Sequence, residues 1–174
     1  MKFDYYTVPI TPYHVIAGVA VKAISPKYFS WTVFVLANIA IDTEVLYYLI
    51  TTGIASHRIF HTLIGATIIA IICASLGKYV CEIGLKALNY IIPNRISLLC
   101  FDRNTKINHT SAWSGAIIGA YSHIFLDSFV NIDMRPLFPF SDQNLLLGLI
   151  SLQNMYYLCV SAFIIGIMIY FIKK

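Results

Sequence analysis

Charge is scarce in this chain: Asp, Glu, Lys and Arg make up 11% of its 174 residues, where soluble domains run near a quarter. That scarcity excludes an ordinary soluble domain. With 59% hydrophobic residues and a mean hydropathy of +0.75, the chain reads as an integral membrane protein. Paired cysteines are lacking too, since Cys73, Cys81, Cys100 and Cys159 stand apart with no Cys-x-x-Cys, and they read as packing residues. No internal repeat or low-complexity segment divides the sequence. The hydrophobic blocks are too continuous for two cores, so 1–174 is expected to be one transmembrane helical domain. The N-terminus does not read as a cleaved signal, because Asp4, Tyr5 and Tyr6 follow Lys2 where an apolar core should begin and Pro9 and Pro12 interrupt the next stretch.

What is present is a series of apolar helical segments. Thr11 and Pro12 make an N-cap and first turn for a short helix to about Ile24. An apolar helix from Ser30 to about Thr51 ends before Gly53. A third is predicted from about Ser56 past Cys73, with an amphipathic extension toward Asn89 that Pro93 closes. Residues 94 to 110 form a polar connection. A fourth helix, capped by Ser111 or Thr110, reaches Val130, and a final span runs from about Asn154 to Ile172. The expected fold is all-α, a bundle of about four transmembrane helices plus the short N-terminal one.

Alternating the long spans sorts the cations. Lys22, Lys27, Lys78, Lys86, Arg95, Arg103, Lys106, Lys173 and Lys174 fall on one side, against Lys2, Arg58 and Arg135 on the other. By the positive-inside rule the first side, with the C-terminus, is cytoplasmic. The expected location is the cytoplasmic (inner) membrane.

This arrangement gathers ionisable residues that membrane helices rarely contain. His14, Asp42 and Glu44, His57 and His61, and His123 with Asp127 all fall toward the extracytoplasmic side, while His109 falls on the other. In His57-Arg58-Ile59-Phe60-His61 the two imidazoles are four apart, a spacing that stacks them on one helical face where they can share an ion. His123 and Asp127 have the same spacing. Asp42 and Glu44 are two apart and diverge by about 200° on a regular helix, so one contacts an ion and the other supports it, or the helix is irregular there.

Each feature has a plainer reading. A single His pair is more often packing or a helix-end contact, and Asp42 and Glu44 could pair with Arg58 or Arg135. Jointly they are harder to dismiss, because each buried carboxylate costs on the order of 3 kcal/mol on the lenient insertion scale. A divalent cation, most simply Zn²⁺, compensates several at once. The metal ligands expected are therefore His14, Asp42, His57, His61, His123 and Asp127, with Arg58 and Arg135 as contacts for an anionic substrate. Asp133-Met134-Arg135-Pro136 and Phe138-Pro139-Phe140 look like a proline-stiffened loop over the site.

Thr11-Pro12-Tyr13-His14, Ile41-Asp42-Thr43-Glu44, His57-Arg58-x-x-His61-Thr62, Ser122-His123-x-x-x-Asp127 and Arg135-Pro136-Leu137-Phe138-Pro139 run in order from residue 11 to about 142. At these residues the chain resembles the membrane-bound metal-dependent hydrolases, the YdjM-like domain of unknown function. Two positions depart from the family pattern: Ile41 replaces the usual proline, and Glu44 stands where a second aspartate is common. More distantly, the arrangement is similar to the zinc phospholipase C and single-strand nuclease superfamily, a likeness that implies phosphoester chemistry.

The expected function is metal-assisted hydrolysis of a phosphoester such as a phospholipid headgroup, with metal-activated water as nucleophile. Glu44 and Asp127 are the candidate catalytic carboxylates, and the expected partners are membrane lipid and a phosphate-containing substrate, without nucleic acid. Arg58 stands where a zincin protease has its glutamate, which argues against that class. The alternatives are a metal-ion permease and a metal-stabilised membrane scaffold.

Overall fold

In the computed structural model, residues 11–91 and 105–173 are described. Lys2, Arg95, Arg103 and Lys174 of the charge and topology reading, and Asp4, Tyr5, Tyr6, Pro9, Pro93 and Cys100, lie outside them. The described residues contain helices and no strand. In chain order these are α1 (Thr11–Ile24), α2 (Trp31–Thr52), α3 (Leu63–Ile72), a π-helical turn (Cys73–Gly77), α4 (Lys78–Ile91), α5 (His109–Ser128) and α6 (Leu152–Ile172).

Among the described residues three rods, against the expected four or so, are long and apolar enough to cross a membrane: Trp31–Thr52, Leu63–Ile91 and Leu152–Ile172. The helix boundaries follow local chemistry. Ser30 caps α2 by accepting from the Val33 N–H, and Gly53, at φ 74°, closes it in the left-handed conformation that glycine enters without penalty. Asn108 caps α5 through Ser111, two or three residues earlier than the sequence reading, and Ser151 caps α6 through Asn154.

Helix α5 is the least apolar of the long helices because it is shielded by its neighbours. It packs against α2, α3, the π turn and α1. Ala112, Gly115, Ala116, Gly119 and Ala120 form its buried stripe at helical spacing. A Cβ at Gly115 would collide with the Ser30 carbonyl, and one at Gly119 would lie 2.8 Å from the Phe34 carbonyl. The Gly115-x-x-x-Gly119 pair thus serves packing within the monomer, letting α5 approach α2 backbone to backbone.

One prediction fails informatively. The third helix starts at Leu63, not near Ser56, so His57 and His61 do not share a helical face. Carboxylates from elsewhere in the chain accept from the backbone N–H groups of this segment, which is a turn rather than a helix. Asp133 accepts from His57 N at 2.8 Å, and Glu44 accepts from Arg58 N at 2.9 Å and Phe60 N at 3.1 Å. Thr62 then caps α3 by accepting from Gly65 N at 3.0 Å. Gly65 lets the Ile59 carbonyl pass where a Cβ would sit, and Leu63 N donates to the Pro136 carbonyl at 2.8 Å.

The two ends of the bundle differ. At one, Lys22 donates to the carbonyls of Pro26 and Phe29, Lys173 donates to those of Ala23 and Ile24, and Asn108 to that of Lys27. Lys78 pairs with Glu82 at 2.8 Å, and Glu82 also accepts from Ile107 N. At the opposite end lie the start of α1, the 53–62 turn and the end of α5, which carry the histidines.

Candidate metal centre

Four elements deliver the polar side chains. His14 comes from the first turn of α1, Asn38, Asp42 and Glu44 from the middle of α2, His57 and His61 from the turn before α3, and His123 and Asp127 from the last turns of α5. All four of these histidines are buried, His61 and His123 completely.

Asp42, His61, His123 and Asp127 present one ligand atom each within 4.8 Å of one another. His123 Nε2 lies 3.2 Å from Asp42 Oδ1 and 3.2 Å from Asp127 Oδ2. His61 Nε2 lies 3.5 Å from Asp42 Oδ1 and 4.0 Å from Asp127 Oδ2. His57 Nε2 approaches the same Asp127 oxygen at 3.9 Å, and His14 Nε2 lies 3.5 Å from Asp127 Oδ1. The rings are mutually tilted, with centroids 4.5 Å apart for His57 and His61 and 5.5 Å for His61 and His123.

Inside this group, His14 Nε2, His61 Nε2, His123 Nε2 and Asp127 Oδ1 are buried without a hydrogen bond. Each such atom costs about 1–3 kcal/mol if it stays unpaired. Imidazole and carboxylate donors are also the set that zinc and similar divalent ions take. The residues therefore fit a metal ion.

The other ring nitrogens are held from outside. His57 Nδ1 contacts Asp133 Oδ1 at 2.8 Å, His61 Nδ1 contacts Glu44 Oε2 at 3.1 Å, and His123 Nδ1 contacts Asn38 Oδ1 at 3.0 Å. An acceptor at Nδ1 places the ring proton there and leaves Nε2 with a free lone pair facing the centre. Partial burial acts to raise the Asp133 carboxyl, but its hydrogen bonds from the His57 ring and backbone prevail and hold it below the ordinary carboxylate range.

Glu44 and Asp42 thus divide the work. They flank the His61 ring, Asp42 at Nε2 and Glu44 at Nδ1, which resolves their awkward spacing of two. Glu44 Oε2 is committed to three donors, a supporting arrangement. The two arginines have other partners: the Arg58 guanidinium stands 5.6 Å over the Tyr48 ring, and Arg135 pairs with Asp142 at 3.0 Å, both exposed. His109, at the start of α5, is far along that helix from His123. The sequence reading missed Asn38 as a partner and treated Asp133 only as loop. A neutral amide amid apolar residues, four positions before Asp42, was the only signal for the first.

The profile of the family described as YdjM inner membrane protein matches residues 10–173. No curated protein and no solved structure matches the chain significantly.

Proposed function

The chain belongs to the YdjM inner membrane protein family, and we propose that it is a metal-dependent hydrolase of phosphoesters at the extracytoplasmic face of the membrane. The observation that carries this is the convergence of the unbonded, buried Nε2 atoms of His61 and His123 on Asp42 and Asp127, each of the two rings being oriented by a separate acceptor at Nδ1. A divalent ion held by Asp42, His61, His123 and Asp127, with His57 nearby, supplies a Lewis acid and brings the pKa of water toward 7.

The remaining roles fall to the chain itself. Asp133, Glu44 and Asn38 orient the imidazoles. Asp42, whose side chain is 19% exposed, marks the open side of the centre. Arg58, adjacent to His57 and steadied on Tyr48, is placed to hold a substrate phosphate, whereas the Arg135 guanidinium is engaged with Asp142 and clips the proline-bearing loop. A phospholipid headgroup is the substrate class that reaches such a site from the bilayer surface. The lysine-rich opposite end of the bundle supports the outward orientation.

The test is metal content of detergent-purified protein, for the wild type and for His61→Ala and Asp127→Ala, together with phosphate or headgroup release from a phospholipid panel. Zinc in the wild type, lost in both variants along with turnover, is the expected result. Wild type purified without chelators and free of transition metal sinks the centre, and bound metal without turnover on any phosphoester replaces the hydrolase with a metal-stabilised scaffold.

A further inference from the structure

His14 differs from the other three histidines of the centre in what faces its Nδ1. Among the described residues no oxygen acceptor faces it. Its neighbour is His123 Nδ1, 3.5 Å away, with the rings edge to face at a centroid distance of 4.9 Å.

The network fixes which of these nitrogens carries hydrogen. Asn38 donates from Nδ2 to the Phe34 carbonyl at 2.9 Å, so its Oδ1 is the atom turned to His123. The reverse amide orientation would set two oxygens against each other. His123 Nδ1 therefore bears the proton, donating to Asn38 Oδ1 at 3.0 Å. A hydrogen on His14 Nδ1 would then meet another N–H, so that nitrogen presents its lone pair. The His14 proton is left on Nε2. That atom lies 3.5 Å from Asp127 Oδ1, and both are buried without a hydrogen bond.

Building on the metal-centre reading above, we infer that His14 is not a ligand but a positioning residue, whose Nε2–H donates to Asp127 Oδ1 and so turns the other oxygen, Oδ2, toward the ion. A protonated Nε2 has no lone pair for a metal. The facing atoms form a matched donor and acceptor that close by a few tenths of an ångström, and Asp127 then spans the centre with one oxygen toward His57, His61 and His123 and the other on His14. The competing use of the same two atoms is to bind a second ion between them.

Two measurements decide. In ¹⁵N-histidine-labelled protein, the signals lost in His14→Gln identify His14, and the expected pattern is a protonated Nε2 and an unprotonated Nδ1, opposite to the tautomer of His61 and His123. This readout does not depend on zinc. X-ray absorption of the zinc-loaded protein should then count the same number of imidazoles in wild type and His14→Gln, whose amide can donate in place of Nε2–H, and one fewer in His61→Gln. Zinc affinity should fall about 10-fold in His14→Gln and nearer 100-fold in His14→Ala, the range for supporting partners. A His14 protonated at Nδ1, an imidazole lost from the ion in His14→Gln, or a drop from two zinc ions to one in that variant overturns the inference. A wild type without zinc instead overturns the centre itself, so the two failures are told apart.

Discussion

Glu44→Gln is the substitution whose effect the structure specifies most fully. Glu44 Oε2 accepts from Arg58 N at 2.9 Å, Phe60 N at 3.1 Å and His61 Nδ1 at 3.1 Å. Hydrogen bonds to a charged acceptor contribute about 1.5–3 kcal/mol and neutral ones about 0.5–1.5. Glutamine keeps one oxygen but no charge, so the loss is roughly 1 kcal/mol per bond, about 3 kcal/mol for the three. Alanine would strand three donors and cost roughly 3–9 kcal/mol, enough at its upper end to unfold a typical domain. Glutamine is therefore the informative change. Thermal unfolding in detergent should show a lower midpoint, and competition with a chromophoric chelator should show zinc held about 10- to 100-fold more weakly, because the His61 ring loses its charged anchor. Zinc at about 100 times its dissociation constant stabilises by about 2.7 kcal/mol, so the wild-type midpoint must itself rise with zinc and fall with chelator. A Glu44→Gln protein with wild-type midpoint and wild-type zinc affinity would refute the supporting role. A ligand missing from the ion's coordination would instead put Glu44 on the metal.

Other outcomes follow from the same geometry. Gly119→Leu puts a Cβ 2.8 Å from the Phe34 carbonyl and should destabilise by about 1–3 kcal/mol in detergent unfolding, whereas Gly84→Ala, with nothing within 4 Å, should not destabilise at all. Asp133 is held below its ordinary carboxyl pKa, so its contribution is present above about pH 4 and lost as pH falls through the depressed value. Asp133→Asn should thus be less stable than wild type at pH 7, by on the order of 1 kcal/mol since the side chain is 33% exposed, and the gap should close in acid; a gap that widens in acid contradicts the pairing with His57. Zinc affinity should fall as pH drops and the imidazoles take up protons, and a flat profile from pH 5 to 8 would speak against histidine ligation. In a cysteine-free background, Phe140→Cys should label from outside the membrane and Lys106→Cys should not; the reverse pattern inverts the topology.

Much of the site was legible before folding was considered, because a titratable side chain in an apolar segment needs a compensating partner and apolar runs with few charges make such residues conspicuous. His14, Asp42, His61, His123 and Asp127 stand out for that reason alone. The His123 and Asp127 pairing at a spacing of four held because that stretch of α5 is a regular helix. The same spacing misled at His57 and His61, which lie in a turn whose backbone N–H groups donate to side-chain carboxylates from α2 and the 131–142 loop. No local pattern in residues 56–62 could reveal partners that arrive from elsewhere in the chain.

Composition and hydropathy by themselves determined an all-helical membrane protein and its apolar spans, since these depend on local periodicity and on transfer from water. Lysine distribution gave an expected orientation. Tertiary structure decided the division of labour: which imidazole nitrogen faces inward, that Glu44 and Asp133 support rather than face the centre, and that Asn38 belongs to it. Those roles depend on distances of about 3 Å between residues as many as 85 positions apart, as for Asn38 and His123. Such contacts are set by how α1, α2, the 53–62 turn and α5 pack together.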